Sequence, residues 1–214
     1  MMEATRIIAV RHGETDWNVD TRIQGHIDIP LNATGVWQAQ QLARALASEP
    51  ISAIYTSDLQ RAHATAQAVA HATGAPLHSL QGLRERSFGE LQGRTFAQIE
   101  TELPEQALRW RKRDPHFAPL GGESLVALHE RIAHTTSTIA QQHMGELVLL
   151  VAHGGVLDAM YRLATGQAIQ APRTWQLNNT AINRLLWTPQ GLTLVGWADT
   201  QHLSTEQGRD ETTT

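Results

Sequence analysis

The chain has 214 residues, a formal net charge of -4, 41% hydrophobic and 18% charged residues, the balance of a globular domain long enough for one sizeable core and short for two. No arginine- and lysine-rich stripe marks it as a nucleic-acid binder. With no cysteine, disulfides, thiolate catalysis and zinc–thiolate sites are excluded, and a reducing, cytoplasmic setting is the expectation.

The apolar run Ile7-Ile8-Ala9-Val10 is too short for the core of a signal peptide. The later run Leu147–Ala152 is too short to span a bilayer; no membrane partner is expected. Arg6–Val10 reads as a first strand, nearly all apolar as a strand covered on both faces should be. Thr34–Ala47 reads as a helix whose Val36, Ala39, Ala43 and Leu46 point inward. Ala53–Tyr55 is a short second strand, and Leu59–Ala72 a helix burying Leu59, Ala62, Ala66 and Val69 until Gly74 and Pro76 stop it. Pro76–Leu80 is a weaker strand candidate.

Thr95–Leu103 is predicted helical, with Thr95 and Gln98 at capping-box spacing, and Pro104 opens another helix to about Arg111. Asp114–Gly122 is a loop by its prolines and glycines. Ser124 caps a long helix with Leu125, Leu128, Ile132 and Ile139 inward. Leu147–Ala152 is the clearest strand and runs into His153-Gly154-Gly155. Ile182–Trp187 and Leu192–Val195 form a hairpin around Pro189-Gln190-Gly191. The alternation predicts an α/β fold, a three-layer sandwich with a central, mostly parallel sheet flanked by helices. A helical cap inserts at about residues 88–120. Residues 1–203 are expected to form a single domain, and 204–214 a polar, disordered tail.

His12 and His153 each follow a buried strand and precede a glycine. Ligands in open α/β sheets bind beyond the carboxyl ends of strands, so neighbouring strands would bring the two imidazoles together. Glycine after each histidine lets the backbone approach a ligand and offers it amide N–H groups. Arg11 adjoins His12, and Arg61 lies near a helix start, where free N–H groups favour anions. Two guanidiniums and two imidazoles make a phosphate clamp. Glu85, between Arg84 and Arg86 at the end of the third strand, is placed to act as general acid. Neutral His12 would attack phosphorus with one ring nitrogen while a backbone carbonyl holds the proton on the other. Arg11, Arg61 and His153 would stabilise the transferring phosphoryl group, and water would then release it. Metal ligation by the two histidines lacks the clustered carboxylates that such sites show, so no metal is expected. The other nine histidines receive no role, and Arg111-Lys112-Arg113 reads as a solvated helix face.

The segment Arg11-His12-Gly13-Glu14-Thr15-Asp16-Trp17-Asn18 resembles the signature of the histidine phosphatase superfamily, which includes the cofactor-dependent phosphoglycerate mutases. Gln24–Leu31, Tyr55–Ala62, Leu83–Gly89, Gly121–Ser124 and Val151–Gly155 resemble further blocks of that family in the same order. The resemblance implies a phosphate pocket of Arg11, His12, Arg61 and His153, with His12 phosphorylated and Glu85 the proton donor. It also implies that Asn18, Gln24, Gly25 and Gly154 line the pocket.

Against the mutase pattern, Phe96 stands where a lysine is expected and Phe88 where an aromatic hydroxyl is expected, and Arg111-Lys112 after Trp110 match the mutases' paired arginines only in part. The resemblance therefore favours a metal-independent phosphomonoesterase acting on a small phosphorylated metabolite. A mutase primed by 2,3-bisphosphoglycerate is the alternative, and a non-catalytic phosphate-binding module a remote one. Phe88, Phe96, Trp110 and Phe117 would make the cap partly apolar. A homodimer is the base-rate expectation for assembly.

Overall fold

The computed structural model describes residues 4–204; apart from Ser204, the tail expected to be disordered lies outside them. All the predicted strands form. β1 (Thr5–Arg11), β2 (Ile51–Thr56), β3 (Leu77–Ser79), β4 (Leu147–Ala152), β5 (Ile182–Thr188) and β6 (Gly191–Asp199) build one six-stranded sheet in the order β3-β2-β4-β1-β5-β6. β1 to β4 run parallel, and the β5–β6 hairpin adds an antiparallel edge to β1. Thr188 pairs with Gly191 across the hairpin turn, where Gly191 takes a φ of 126°, open in practice to glycine alone. β4 lies in the interior of the sheet and all its residues are buried, which is why its sequence is an unbroken apolar run rather than an alternating one.

The helices are α1 (Asp16–Val19), α2 (Ala33–Leu46), α3 (Gln60–Thr73), α4 (Phe96–Glu102), α5 (Pro104–Arg111), α6 (Leu125–Gln141) and α7 (Gly154–Thr165). Successive strand residues face opposite sides of a sheet, and the core divides accordingly. Ile7, Ala9, Val148 and Leu150 pack with Leu128, Ile132 and Ile139 of α6 and Val156, Leu157 and Met160 of α7. Ile8, Val10, Leu149 and Val151 pack with Leu42 and Leu46 of α2 and Ala62, Ala66 and Val69 of α3. These are the expected three layers. Residues 88–122 lie over one end of them and hold their own small core of Leu91, Ile99, Ala107 and Phe117. Thr95 and Gln98 form the predicted capping box of α4.

Three local expectations need correction. Val36 is 46% exposed rather than inward. The Asn32 side chain accepts from Gly35 N–H and so starts α2 with Gly35 facing the interior, and the stripe continues through Ala39, Leu42, Ala43 and Leu46. Leu125, in the first turn of α6, is only half-buried. The helix α7 was not predicted: it opens on two glycines, poor helix formers that hide the start of an apolar stripe. Among the described residues no helix is long and apolar enough to cross a membrane.

Candidate active site

The register of β1 against β4 pairs Arg11 with Ala152, and His12 N–H donates to the Ala152 carbonyl at 3.0 Å. His12 and His153 therefore leave the sheet side by side, with ring centroids 5.2 Å apart. Both are buried. The His12 Nδ1 lies 2.7 Å from the Gly13 carbonyl; a carbonyl can only accept, so Nδ1 carries the proton and Nε2 keeps its lone pair. Burial, reinforced by the charges of Arg11 and Arg61, holds the His12 pKa well below its ordinary value. Burial does the same to His153, helped by Arg61 and His12. Both rings are neutral at neutral pH, and neither nitrogen of His153 has a hydrogen-bond partner.

The loop after His12 is pinned from several directions. Gly13 N–H donates to Thr65 Oγ1 at 3.0 Å, Glu14 N–H to Gln38 at 2.8 Å, and Asn179 Nδ2 to the His12 carbonyl at 2.8 Å. A Cβ on Gly13 would stand 2.5 Å from the Gly35 carbonyl oxygen, and one on Gly35 2.1 Å from that of Glu14. Only glycine at both positions lets the nucleophile's loop lie this close on α2.

Arg61, in the first turn of α3, is 1% exposed. It donates to the carbonyls of Ile27 and Gly25 at 3.0 and 2.8 Å, while its Nε is unpartnered. Burial lowers its pKa to about 10, which leaves it charged at neutral pH. Arg11 Nη1 donates to the Leu177 carbonyl at 2.8 Å, and its Nε is likewise unpartnered. Buried donors without acceptors are costly and mark places meant for a ligand. Here they belong to guanidiniums and an imidazole around one space.

Glu85 stands across that space. Its carboxylate accepts from Gly155 N–H at 3.1 and 3.0 Å and from Arg86 N–H at 2.7 Å. A Cβ at Gly155 would meet Glu85 Oε1 at 2.3 Å, and one at Gly154 would lie 3.7 Å from Arg11 Nε. The glycine pair thus gives Glu85 its seat at the N-terminus of α7. Gln24 is buried with an unpartnered Oε1. Gly25, at a φ of 53°, serves through its carbonyl on Arg61. Asn18 is engaged differently: it closes a capping box with Thr15 and lies 3.4 Å from Asn179.

Residues 7–200 match the sequence profile of the histidine phosphatase superfamily (branch 1). The chain belongs to that superfamily. This histidine phosphatase is 37% identical over 207 residues to phosphoglycerate mutase-like protein 4 of Arabidopsis thaliana, covering 94% of this chain and 88% of the relative. It is 38% identical over 206 residues to a metal-independent phosphoserine phosphatase of the same organism, covering 94% and 84%. The structure of Bacillus stearothermophilus YhfR superposes with a TM-score of 0.87 at 29% identity, covering 94% of this chain and 100% of that one.

The histidine phosphatase site also holds residues to which the sequence reading gave no role. His26 Nε2 lies 2.8 Å from the Glu85 carbonyl, so one of the nine unassigned histidines braces the site. Arg113 is no solvated helix residue: it leaves α5 at a φ of 51° and donates to Asp158 Oδ2 and the Ile169 carbonyl at 2.8 and 2.9 Å. Asn179 and Thr65 carry no signal of their own in the sequence, since their roles depend on approach from distant segments. Of the aromatic residues expected to line the cap, Phe88 and Trp110 stack 4.9 Å apart and line a cavity that reaches Arg11 and Gly154, whereas Phe96 and Phe117 pack within the cap core.

Proposed function

We propose that this enzyme is a metal-independent phosphomonoesterase that hydrolyses small phosphate esters through a phosphohistidine on His12. The observation that carries the reading is the bond from His12 Nδ1 to the Gly13 carbonyl. It presents a neutral Nε2 to a space bounded by unpartnered donors of Arg11, Arg61 and His153.

His12 Nε2 attacks phosphorus, the ester P–O bond breaks, and the leaving alkoxide takes the proton of the Glu85 carboxyl group. In the second step Glu85 accepts a proton from water as the water oxygen attacks phosphorus and the N–P bond breaks. The proton account closes with Glu85 protonated again. Arg11, Arg61 and an Nε–H or Nδ1–H of His153 take the equatorial oxygens, supplying the charge stabilisation that metal ions provide in many phosphoryl-transfer enzymes. Among the described residues no three His, Cys, Asp or Glu side chains are grouped to hold a metal ion.

Hydrolysis is favoured over isomerisation by the cap. Phe96 stands edge-on to Trp110 at 6.4 Å inside the cap core, where it offers no cation to a phosphoglycerate carboxylate. Arg111 pairs with Glu100 and lies over Phe96, not in the cavity. The test is turnover of p-nitrophenyl phosphate and alkyl phosphates with EDTA present, alongside isomerisation of 3-phosphoglycerate with 2,3-bisphosphoglycerate. Phosphate release at an undiminished rate without isomerisation is expected. Loss of activity on chelation, or isomerisation outrunning phosphate release, would overturn the reading.

The role of Glu85 has its own signature. Glu85→Gln should slow alkyl phosphates by ~10²-fold more than p-nitrophenyl phosphate, whose leaving group hardly needs a proton. Gly155→Ala should reproduce that pattern, because the added methyl displaces the movable end of Glu85 rather than backbone. Equal losses on both ester types in both variants would remove Glu85 from the acid's role.

A further inference from the structure

Glu85 lies in a stretch, residues 84–87, that belongs to no helix or strand, so no helical or sheet ladder fixes its main chain. A cavity of about 730 Å³ borders this turn, lined by His26, Gly82, Arg84, Glu123 and Arg131 and by none of His12, Arg61 and His153. On that side hydrogen bonds rather than packing hold the turn. Most of them come from Arg131, in the second turn of α6. Its Nη1 donates to the carbonyls of Gly82 and Arg84, both at 2.9 Å. Its Nη2 donates to Glu123 Oε2 at 2.7 Å and to the Glu85 carbonyl at 3.4 Å, and its Nε to Glu123 Oε1 at 2.9 Å. A guanidinium carries five N–H groups in one rigid fork, and all five have an acceptor here. The paired oxygens of Glu123 set the orientation of the fork, which leaves three N–H groups for the carbonyls around the acid. Glu123 is itself tied to the far end of the turn: its N–H donates to the Ser87 carbonyl at 2.8 Å, and its carbonyl accepts from Arg86 Nε at 2.8 Å. Both side chains of the Arg131–Glu123 pair are part-buried.

We propose that Arg131 is a positioning residue for the proton transfer, holding the main chain of the acid's turn so that the Glu85 carboxyl group stays on the Gly155 N–H. The proposal deepens the phosphomonoesterase reading and rests on it. Arg131 touches neither the phosphate space nor the Glu85 carboxylate; it acts through the carbonyls of residues 82, 84 and 85. Holding α6 in place does not fall to it, because Leu128, Ile132 and Ile139 pack that helix on the sheet. Its removal therefore loosens the turn while the helix stays. A shift of the turn draws the carboxylate off Gly155, and a displacement of ~1 Å at a reacting group costs ~10²-fold in rate. Lysine is no substitute, since an ammonium offers three donors from one point and cannot span three carbonyls and a carboxylate.

The test compares Arg131→Met, Arg131→Lys and the double variant Arg131→Met/Glu85→Gln with the wild type in kcat/KM, which reads the steps through the first phosphoryl transfer. Arg131→Met should lose ~10-fold more on n-alkyl phosphates than on p-nitrophenyl phosphate, and Arg131→Lys should show the same split to a smaller degree. A merely structural role would lower both esters alike. In the Glu85→Gln background Arg131→Met should widen the split no further, because the proton it positions is already gone. The Gly155 amide resonance, identified as one that shifts in Glu85→Gln, should also move in Arg131→Met, which reads the carboxylate's seat without turnover. Arg131→Lys, which keeps a cation beside Glu123, carries the comparison where the methionine variant fails to fold. Equal losses on both esters, a further split in the double variant, or an unmoved Gly155 amide overturns the proposal. Glu85→Gln losing equally on both esters defeats the assignment of the acid, whereas a split in Glu85→Gln with none in Arg131→Met defeats the role of Arg131 alone.

Discussion

His12→Ala should lose at least ~10⁴-fold in kcat and all acid-labile phosphate labelling. Without the imidazole the proposed nucleophile is gone: His153 is the other ring in the space, and the proposed mechanism gives it the phosphate oxygens rather than the phosphorus. The remaining Arg11, Arg61 and Glu85 would still bind and polarise the ester, so affinity for phosphate should persist while the covalent step disappears. Rapid-quench labelling with a radioactive ester, followed by acid and base treatment, separates the outcomes. A variant that keeps both labelling and turnover would place the nucleophile elsewhere.

Gly35→Ala should damage both fold and catalysis although residue 35 touches no substrate. Its added methyl would stand 2.1 Å from the Glu14 carbonyl oxygen and 2.7 Å from the Glu14 nitrogen. These are backbone atoms, so α2 and the loop bearing His12 must separate. Forced overpacking of this kind costs ~2–3 kcal/mol, or ~5–10 °C in Tm for a chain of this size. The loop's displacement carries the nucleophile with it, and a shift of ~1 Å in reacting geometry costs ~10²-fold in rate. Thermal unfolding and kcat measured together decide the matter. A variant that melts with the wild type at full kcat would show that the Gly13–Gly35 approach does not hold the nucleophile in register.

The sequence exposed the parts of this molecule that local chemistry determines. A buried strand must be apolar on both faces, so β1 and β4 stood out, and with them the histidines at their ends. Thr95 with Gln98 and Ser124 marked helix starts because a cap is a local hydrogen bond. α7 escaped because Gly154 and Gly155, which Glu85 requires, are unfavourable helix formers; the spacing of Val156, Leu157, Met160 and Leu163 was the signal available. Val36 is exposed, although a valine next to a glycine looks like the better core residue, because the contact of Gly35 with Glu14 decides the rotation of α2. Asn179, Thr65, His26 and Arg113 were beyond sequence reasoning for a common reason. Each acts on the site from a segment far away along the chain, through a main-chain group or carboxylate that the sequence does not bring into view.

The Arg113–Asp158–Arg162 arrangement has a consequence for how the two halves of the site move. Arg113 follows α5 in the cap, Asp158 and Arg162 belong to α7, and carbonyls of Ile169 and Ala168 complete the cluster. The helix that seats Glu85 at its first turn therefore clasps, one turn later, Arg113 in the wall of the cavity beside the site. An outward swing of Arg113 would work against a part-buried ion pair shared with α7, the helix that seats Glu85. Under the proposed mechanism, a cap movement that opened the site for product would also disturb the seat of Glu85.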